Sequence, residues 1–560
     1  MSYPFFHLYS LTSQALVLST SALIMSCMPA QAWAQTRVLV GGGLQVCSSM
    51  TPEHCEHPFK GGKASPLFRV DENALARLET HWPSQYQAQK ESQIKAFKAL
   101  VSEQALTQEQ LLTLWYEHAP EAQLLDNALV YYVLDTLELA EPSLKVHIDT
   151  DLNKDDATSE LLAFMQSAIS VAAAQQAQPP RVLMLTSASR DPYASADYYQ
   201  QLLASNNMDS HSNNIDSQWL PLTPALAKAL SQGRCDKLNE FRQQAQIFDR
   251  ARVYPERIAE EQALCSQGVK ALIAQIEAAS AVYFNNGDQA LAKAVLYDEQ
   301  GKEYPWTEAL RTRAVILANG NGSALQSGGS NTKGFVAMIT GGDAFAALEN
   351  KVELETKPTS LPSGYAAISY EPKGGLGTFN YGVLDTQFSD DNRSLRLHSL
   401  LYGAGQLAGY GIDTGSALVI ITSEQGNVAT VLGEAGVVKV QPLDKRTFRY
   451  SYYPSGVRLT LAQQQWRLAA DTKAIEVEGP SAQALPQMRF GDILYDGKLR
   501  SLTQAMCLSN SKMALAAQYT RGQYWDFTLR SDQQTRMLNT DIRANACAIE
   551  ELIIEFAPRN

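Results

Sequence analysis

The segment 314–327 combines a buried strand, a tight glycine turn and the start of a helix. This order is typical of a nucleophile elbow, in which a sharp turn holds a Ser or Cys at the top of an α/β sheet. The residue at the position of the nucleophile is Gly320. Glycine has no attacking group, but it adopts strained elbow dihedrals without the cost that a side chain brings.

An alternative alignment makes Ser323 the nucleophile, three residues further along the chain. Leu325 then takes the position of the small residue that the tight strand-to-helix crossing requires. Ser323 also fits the first turn of the following helix, where Ser is a favourable cap. Ser327 and Ser330 are weaker candidates, and none of the three serines has an obvious base.

The chain around this turn alternates between strands and helices. Predicted strands at 36–40, 181–186, 219–222, 281–284 and 313–318 are separated by helical segments. The pattern predicts an α/β fold with a mostly parallel sheet covered on both faces. Ligand sites in such sheets lie at the carboxyl ends of the strands. Both glycine turns, 285–288 and 318–322, are expected at that edge.

Two other regions do not show this alternation of strands and helices. Residues 66–174 have helical spacing and are predicted to form a helical insertion after the first strand. Beyond about residue 415, β-branched and aromatic runs separated by turns predict a β-rich C-terminal extension. The expected organisation is a signal peptide at 1–34, an α/β domain at 35–440 containing the insertion, and the extension at 441–560.

Five segments in order resemble the cyanophycinase-type serine peptidases. They are Arg181-Val-Leu-Met-Leu-Thr-Ser-Ala-Ser189, Phe284-Asn-Asn-Gly-Asp-Gln289, Val315-Ile-Leu-Ala-Asn-Gly-Asn-Gly322, Gly375-Leu-Gly377 with Asp385-Thr-Gln-Phe-Ser389 and Arg393, and Gly411-Ile-Asp-Thr414. Cyanophycinases cleave an arginine-loaded polyaspartate into β-Asp-Arg dipeptides, and related dipeptidases cut after Asp. The resemblance implies a three-layer α/β/α, class I glutaminase-like fold and covers neither the insertion nor the C-terminal extension.

The departures from the family pattern fall on its reaction centre. The family's Ser nucleophile corresponds to Gly320, its His base to Gln387 and a family Glu to Thr414. Asn286 replaces a family glycine that approaches the substrate carbonyl. A Gln amide does not titrate near neutral pH and cannot accept a hydroxyl proton as imidazole does.

The resemblance also implies a set of binding positions. These are Gly287, Asp288, Gln289, Asn321, Asp385 and Arg393. The backbone amides of Gly287 and Asn321 would form an oxyanion hole with no attacking group beside it. Asp385 fits a structural role and a site carboxylate equally well. His398 lies among leucines and is expected to be packed or on a helix surface, not to act as a relocated base.

The composition excludes some classes of function. The formal net charge is −12, and the pI is near 5.3. No basic stripe offsets the excess acid, which argues against nucleic-acid binding. The apolar and charged fractions are those of an ordinary globular protein. No cofactor or metal is expected.

The first 34 residues and the cysteines indicate export. Residues 1–34 contain no Lys, Arg, Asp or Glu, and an apolar run precedes Ala32 and Ala34, a pattern for cleavage before Gln35. The run is too short for a membrane span, and Cys27 offers a weak lipid-attachment alternative. The remaining cysteines suggest disulfides 47–55, 235–265 and 507–547. A zinc site with His54 and His57 is the less favoured alternative.

These observations predict an exported cyanophycinase-like pseudo-peptidase, in the periplasm or secreted. It would keep a cleft for an Asp/Arg-type peptide or a cyanophycin-like polymer but lack the nucleophile and the base. The alternative is an active serine peptidase that uses Ser323. A homodimer is possible by analogy with the family.

Overall fold

The computed structural model describes residues 35–141, 143–204, 214–348, 365–424, 426–473, 489–540 and 546–559. The predicted signal peptide and Cys27 lie outside these residues. Secondary structure follows the predicted alternation closely, and the strand that leads to the elbow ends one residue later than expected, at Asn319.

The helices are listed in chain order. They are α1 Glu72–Thr80, α2 Gln87–Ala99, α3 Gln108–His118, α4 Asn127–Leu137, α5 Asp156–Gln175, α6 Pro192–Leu202, α7 Pro224–Gln232, α8 Leu238–Gln244, α9 Arg250–Val253, α10 Pro255–Glu277, α11 Gln289–Lys293, α12 Thr307–Arg311, α13 Asn321–Ala324, α14 Ser394–Gly403 and α15 Lys498–Leu508. Side-chain caps hold several of the helix starts, because the first amides of a helix have no partner within it. Asp288, for example, accepts from the backbone N–H of Ala290 at the start of α11.

The strands in chain order are β1 Gln35–Val40, β2 Arg181–Leu185, β3 Asp216–Leu220, β4 Ala281–Phe284, β5 Val315–Asn319, β6 Ser330–Asn331, β7 Gly334–Phe335, β8 Met338–Gly341, β9 Ser369–Glu371, β10 Val383–Thr386, β11 Gly409–Ile412, β12 Ser416–Ser423, β13 Gly426–Gly433, β14 Gly436–Asp444, β15 Thr447–Pro454, β16 Arg458–Ala462, β17 Gln465–Leu468, β18 Arg489–Phe490, β19 Met513–Thr520, β20 Gln523–Arg530, β21 Arg536–Thr540 and β22 Ala546–Pro558.

The first sheet has nine strands in the order β17-β16-β13-β12-β1-β5-β4-β2-β3. The half from β1 to β3 is parallel, and β12, β13, β16 and β17 extend it in antiparallel fashion. The predicted α/β class is confirmed, with parallel pairing limited to that half. Because β4 and β5 are neighbours, the turns that follow them meet at one edge of the sheet.

Both faces of the parallel half are covered, as expected for central strands rich in aliphatic residues. Val38 and Val40 of β1 pack into a cluster with α5 and α6. Leu39 faces the opposite side, in a cluster with α7 and α10. Alternation along one strand therefore supplies two separate cores and gives the three-layer arrangement.

A second large sheet has the order β10-β11-β14-β15-β22-β20-β19-β18, with β21 paired to β22. It joins β10 and β11, which adjoin the elbow region, to the strands of the C-terminal segment. The predicted boundary at 440/441 falls inside β14. The C-terminal strands therefore share a hydrogen-bonded sheet with β10, the strand that leads to Gln387.

The predicted helical insertion contains α1 to α5. Helices α1 to α4 surround a core of their own that includes Phe97 and Trp115. Helix α5 packs instead against the first sheet through Leu161 and Met165. Among the described helices, α5 is long and apolar enough to cross a membrane. The packing of α5 against the first sheet also accounts for its apolar residues.

Three disulfides join Cys47 to Cys55, Cys235 to Cys265 and Cys507 to Cys547. The predicted pairing is confirmed. The first bridge takes up the cysteine that the zinc alternative required. Disulfides persist in oxidising environments, so the chain is suited to an extracellular or periplasmic compartment.

Candidate functional site

The elbow at Gly320 is a tight turn between β5 and α13. Gly320 follows β5 directly and has φ 51° and ψ −127°. Its N–H donates to the carbonyl of Val40 at 3.0 Å, which fixes the turn against the end of β1. A residue with a side chain is strained at such dihedrals. The chain keeps the turn and places glycine where the strain would fall.

The residue two positions after Gly320 must be small. A Cβ added to Gly322 would lie 2.4 Å from the carbonyl oxygen of Phe284, closer than two non-bonded atoms can approach. This close approach of α13 to the end of β4 is the reason for a glycine at 322. It also supports the alignment that puts Gly320, and not Ser323, at the position of the nucleophile.

The two backbone amides that were predicted to form an oxyanion hole, those of Gly287 and Asn321, both donate to Asn286. The Oδ1 atom of Asn286 accepts from the backbone N–H of Gly287 at 2.9 Å. The same oxygen accepts from the backbone N–H of Asn321, also at 2.9 Å. Two convergent amides of this kind are what an oxyanion hole offers to a developing negative charge. Here a side-chain carbonyl of the protein occupies them.

Asn286 also occupies the space in front of residue 320. A Cβ built on Gly320 would lie 2.1 Å from the Asn286 Oδ1 atom. The Asn286 side chain and any side chain at position 320 therefore exclude one another. Residues 286 and 320 are therefore physically coupled.

The turn that carries Asn286 is held firmly by its neighbours. Asn285 is buried, accepts from the Ala188 N–H at 3.1 Å and donates to the Ser189 hydroxyl at 2.8 Å. The Asn286 N–H donates to the Tyr199 hydroxyl at 3.2 Å. Gly287 has φ 152°, and a Cβ there would lie 2.1 Å from the Ala188 carbonyl oxygen. The loop after β2 thus positions the turn after β4.

Gln387, which was predicted to stand where the resembling family has its base, lies one residue beyond β10. Its φ is 49°, an uncommon conformation for a residue with a side chain. Its N–H donates to the Gly41 carbonyl at 2.6 Å, and its Oε1 accepts from Arg393 at 3.2 Å. The amide is held as a hydrogen-bonding group and offers no site for proton transfer near neutral pH.

Thr414 lies beside the glycine run after β1. A Cβ on Gly42 would be 3.0 Å from Thr414 Cγ2, and one on Gly41 would be 2.2 Å from the Asp413 carbonyl oxygen. Gly41 also binds Gln387 through its backbone. The glycine run therefore lets the segments that carry Gln387 and Thr414 approach the end of β1, next to the elbow.

Asp385 has a structural role. Its two carboxylate oxygens accept from Arg396 at 2.9 and 2.5 Å, and Oδ1 also accepts from the Thr386 N–H. The side chain is buried. Burial alone would raise the pKa of Asp385, but the guanidinium groups of Arg396 and Arg393 outweigh it and hold the pKa below its ordinary value. Of the two interpretations of Asp385, these contacts favour the structural one.

Replacement of the partner of Asp385 is expected to destabilise the fold. The substitution Arg396→Met leaves a buried carboxylate without its main cation, which we expect to lower the free energy of unfolding by about 3 kcal/mol. The folded-state pKa of Asp385 is depressed, so its contribution is present above about pH 4 and is lost as the pH falls through the folded pKa. Urea unfolding at pH 7 and pH 3.5 measures both the loss and its decrease in acid.

A surface ion pair provides the control for this experiment. Arg458 pairs with Asp471 at 3.3 Å, and both side chains are more than half exposed. The substitution Arg458→Met should change the free energy of unfolding by less than about 0.5 kcal/mol. A loss for Arg396→Met that is as small as this, or that does not change with pH, would contradict the structural role.

The other predicted binding residues divide into accessible and buried groups. Gly287 and Asp288 are exposed and Asn321 is half-buried, with its Nδ2 hydrogen-bonded to the Gly287 carbonyl. Gln289 is buried and donates to the Ile339 carbonyl at 2.7 Å, so its side chain supports the fold. Arg393 is half-buried and binds the Thr386 carbonyl and Asp391. Of the predicted binding residues with side chains near the elbow, the structure thus leaves Asp288 and Asn321 accessible.

Ser323 lies in the interior of the fold. Its hydroxyl is fully buried and donates to the Val40 carbonyl at 2.8 Å. Ser327 is also buried, and its hydroxyl accepts from the Leu384 N–H at 2.8 Å. Ser330 is exposed in the short strand β6. No hydrogen bond joins these three hydroxyls to a His or carboxylate in the part of the chain that the structure describes. The geometry is therefore against a displaced nucleophile.

The substitution Ser323→Ala tests this structural interpretation. Loss of the buried hydrogen bond to Val40 should lower the free energy of unfolding by about 1 kcal/mol and leave any turnover of peptides unchanged. Thermal unfolding together with a turnover assay measures the two effects. Loss of a chemical activity with no change in stability would contradict it.

His398 is packed, as predicted. It is buried in α14, and its ring lies 4.9 Å from that of Phe448. Burial lowers the pKa of His398 to about 4. Its Nε2 lies 3.2 Å from the Lys445 carbonyl oxygen. These contacts place His398 in the second sheet's core and not at the elbow.

One group of side chains has the composition of a metal site. Among the described residues, the carboxylates of Asp135, Glu138 and Asp191 come within 4.8 Å of one another. The buried guanidinium of Arg250 lies between them, at 2.6 Å from Glu138 and 2.7 Å from Asp191. An arginine takes the place that a cation would need, so this cluster is an ion-pair network that joins α4, α6 and α9.

Sequence reasoning missed that Asn286 accepts from the amides of both Gly287 and Asn321. The signal was present, because Asn286 and Gly320 both depart from the family pattern and lie in the two turns that face each other. It also missed Arg396, which binds Asp385, and Arg500, which donates to Asp413 at 3.0 Å from α15. Those contacts join distant segments of the chain, and no spacing in the sequence indicates them.

No protein-family model matches this chain. Among solved structures, the chain is similar to the crystal structure of a peptidase from an acI-B1 Actinobacterium, with 14% sequence identity and a TM-score of 0.32. The match covers 55% of this chain and 93% of that chain. A similarity at this level assigns no activity.

Proposed function

We propose that this protein binds Asp/Arg-type peptides without hydrolysing them, as an exported pseudo-peptidase of the cyanophycinase type. The observation that carries the proposal is the Asn286 carboxamide, whose Oδ1 accepts from both the Gly287 and Asn321 amides. Acyl transfer needs a nucleophile and an empty hole for the oxyanion. Gly320 supplies no nucleophile, and the hole is filled.

The missing base supports the same proposal. Gln387 takes the position of a histidine and is bound to Gly41 and Arg393. A Ser or Cys with no base nearby is a weak nucleophile, so even a serine at residue 320 would lack activation. The chain thus lacks a nucleophile and a base, and its oxyanion-hole amides are occupied. This combination fits a protein in which the turn geometry serves binding.

Accessible groups at the elbow suit a peptide ligand. Asp288 is exposed, Asn321 is half-buried, and both lie on the turns that frame the hole. A carboxylate beside the hole can pair with the ammonium group of a β-Asp-Arg dipeptide. Asn321 adds amide donors and acceptors for the peptide backbone. An exported location, periplasmic or secreted, accords with the three disulfides.

Calorimetric titration with β-Asp-Arg dipeptide tests the proposal. We expect saturable binding, and mass spectrometry should recover the dipeptide intact. The substitution Asp288→Asn removes the charge but retains the helix cap, and it should weaken binding about fivefold. Asp471→Asn, on a distant exposed surface, is the matched control and should bind as the native chain does. Absence of binding, or cleavage of the dipeptide, would overturn the proposal.

A further inference from the structure

A cavity of about 350 Å³ lies between the helical insertion and the segment that joins α8 to α9. Helices α1 and α4 of the insertion contribute Arg77, Tyr132 and Thr136 to its wall, and α8 with residues 247–251 forms the other side. A cavity of this volume can hold a small organic molecule. None of the described residues in its wall belongs to the elbow or to the five segments that resemble the family. The cavity is therefore separate from the region on which the proposed function rests.

Arg77 brings a guanidinium group to this wall without a close carboxylate partner. Among the described residues, its ion pair is with Asp249, at 3.9 Å. Asp249 binds Arg252 much more closely, at 2.6 Å. The hydrogen bond from Arg77 to the Thr136 carbonyl is long, at 3.4 Å. Two guanidinium groups thus share one carboxylate, and the charge of Arg77 is only partly compensated.

The surroundings of Arg77 are unfavourable for its positive charge. Burial and the nearby charge of Arg252 lower the pKa of Arg77 from its ordinary value. The carboxylates of Asp249 and Asp71 act in the opposite direction but do not outweigh these effects. The Arg77 side chain is 32% exposed, so a ligand can reach it. An incoming anion would supply the compensation that the protein itself does not provide.

The other arginines in the wall are bound to carboxylates of the protein. Arg242 binds Glu261 at 2.6 Å. Arg250 binds Glu138 at 2.6 Å and Asp191 at 2.7 Å. These three carboxylates are not part of the cavity wall. Of the three arginines in the wall, the one from α1 therefore has charge to offer a ligand.

Two amide side chains of α8 line the same cavity. Asn239 and Gln243 are four residues apart and lie on one face of the helix. Both residues are exposed, and neither side chain makes a hydrogen bond within the described ranges. Each carboxamide has two N–H donors. Both can therefore donate to the oxygens of an anion held by Arg77.

Part of the wall is apolar. Tyr132 and Phe248 pack edge to face with ring centroids 5.5 Å apart, and Pro83 and Ile247 line the cavity with them. The Tyr132 hydroxyl donates to the Leu78 carbonyl at 2.9 Å, so its polar atom is already used inside the fold. A ligand with an apolar body beside its charged group matches this wall.

The charges of the cavity favour a monoanion. A guanidinium group pairs with a carboxylate through two parallel hydrogen bonds. Asp249 stands in the same wall and repels negative charge. Because one guanidinium group is available, a dianion such as a phosphate monoester would keep one charge without a partner. A carboxylate is therefore the anion that fits.

We propose that this cavity binds the carboxylate of a small organic acid with an apolar body. Arg77 pairs with the carboxylate, Asn239 and Gln243 donate to it, and the rings of Tyr132 and Phe248 pack against the apolar part. The site gives the helical insertion a role in ligand binding, since Arg77 and Tyr132 both come from it. It goes beyond the proposed function, because it shares no residue with the elbow.

Calorimetric titration with 3-phenylpropionate tests the site, with the neutral 3-phenylpropionamide as the isosteric control. We expect the acid to bind and the amide to bind at least about tenfold more weakly. Arg77→Gln should weaken binding of the acid about tenfold. Arg458→Gln removes an exposed guanidinium group elsewhere on the protein and should bind the acid as the native chain does. Thermal unfolding checks that each variant is folded.

A double variant on α8 keeps the test decisive if Arg77→Gln does not fold. Asn239→Ala with Gln243→Ala removes two exposed amides and should weaken binding of the acid about fivefold. Equal binding of acid and amide, no binding of the acid, or an affinity unchanged by these substitutions would overturn the site. Tighter binding of phenyl phosphate than of 3-phenylpropionate would overturn its assignment to a carboxylate.

Discussion

The substitutions Gly320→Ser and Gln387→His together are expected to produce almost no peptidase activity, because Asn286 still fills the oxyanion hole. Addition of Asn286→Gly should raise turnover at least about 100-fold over that double variant. The reason is geometric. The third change frees the Gly287 and Asn321 amides and removes the oxygen that would lie 2.1 Å from the new Cβ.

Release of β-Asp-Arg dipeptide from cyanophycin-type polymer measures this difference. Ser323→Ala added to the triple variant is the control and should leave turnover unchanged, since its hydroxyl is bound to Val40. Equal turnover of the double and triple variants would contradict the role of Asn286. A triple variant with no turnover would also contradict the role of Asn286.

The second prediction concerns stability. Gly320→Ala should lower the free energy of unfolding by about 3 kcal/mol, from strain at φ 51° and from the contact with Asn286. In an Asn286→Ala background, the same change should cost only about 1.5 kcal/mol, because the contact is gone and the strain remains. Urea unfolding of the four proteins in the cycle yields a coupling energy of about 1.5 kcal/mol.

Gly233→Ala is the matched control for this cycle. Gly233 has φ 64°, and a Cβ there meets nothing within 4 Å. The substitution should cost about 1 kcal/mol and should show no coupling to Asn286→Ala. A coupling energy near zero for the pair at 286 and 320 would mean that Asn286 moves away freely when residue 320 gains a side chain.

The sequence predicted the scaffold well because its signals are local. The aliphatic run before Gly320 predicts a buried strand, and the glycines after it predict a turn. The order of strands and helices then places the turns of 285–288 and 318–322 at one edge of a sheet. Cysteines that lie near one another in the sequence also indicated the correct pairs.

Two features of the site required the structure because they arise between distant segments. The side chain of Asn286 can point in several directions, and only the approach of β4 and β5 shows that it meets the amides of residues 287 and 321. Asp385 looked as suitable for a ligand as for a structural contact. Arg396, which lies on the helix that follows, decides this through its two hydrogen bonds.

The C-terminal segment illustrates the same limit. Its β-rich character could be predicted from β-branched and aromatic runs, but its sheet partners could not. β22 pairs with β15 and β20, and Arg500 of α15 reaches Asp413 beyond β11. These long-range contacts bring Tyr495 and Asp496 into the neighbourhood of Arg393.

Turnover by the native chain tests the central claim most directly. The purified protein is incubated with β-Asp-Arg polymer and with Asp-X dipeptides, and the products are followed by mass spectrometry beside a protein-free control. The structure predicts no release above that control, because Gly320 offers no nucleophile and Asn286 fills the hole. Turnover by the native chain that is abolished by Ser323→Ala, with the fold intact, would contradict this account.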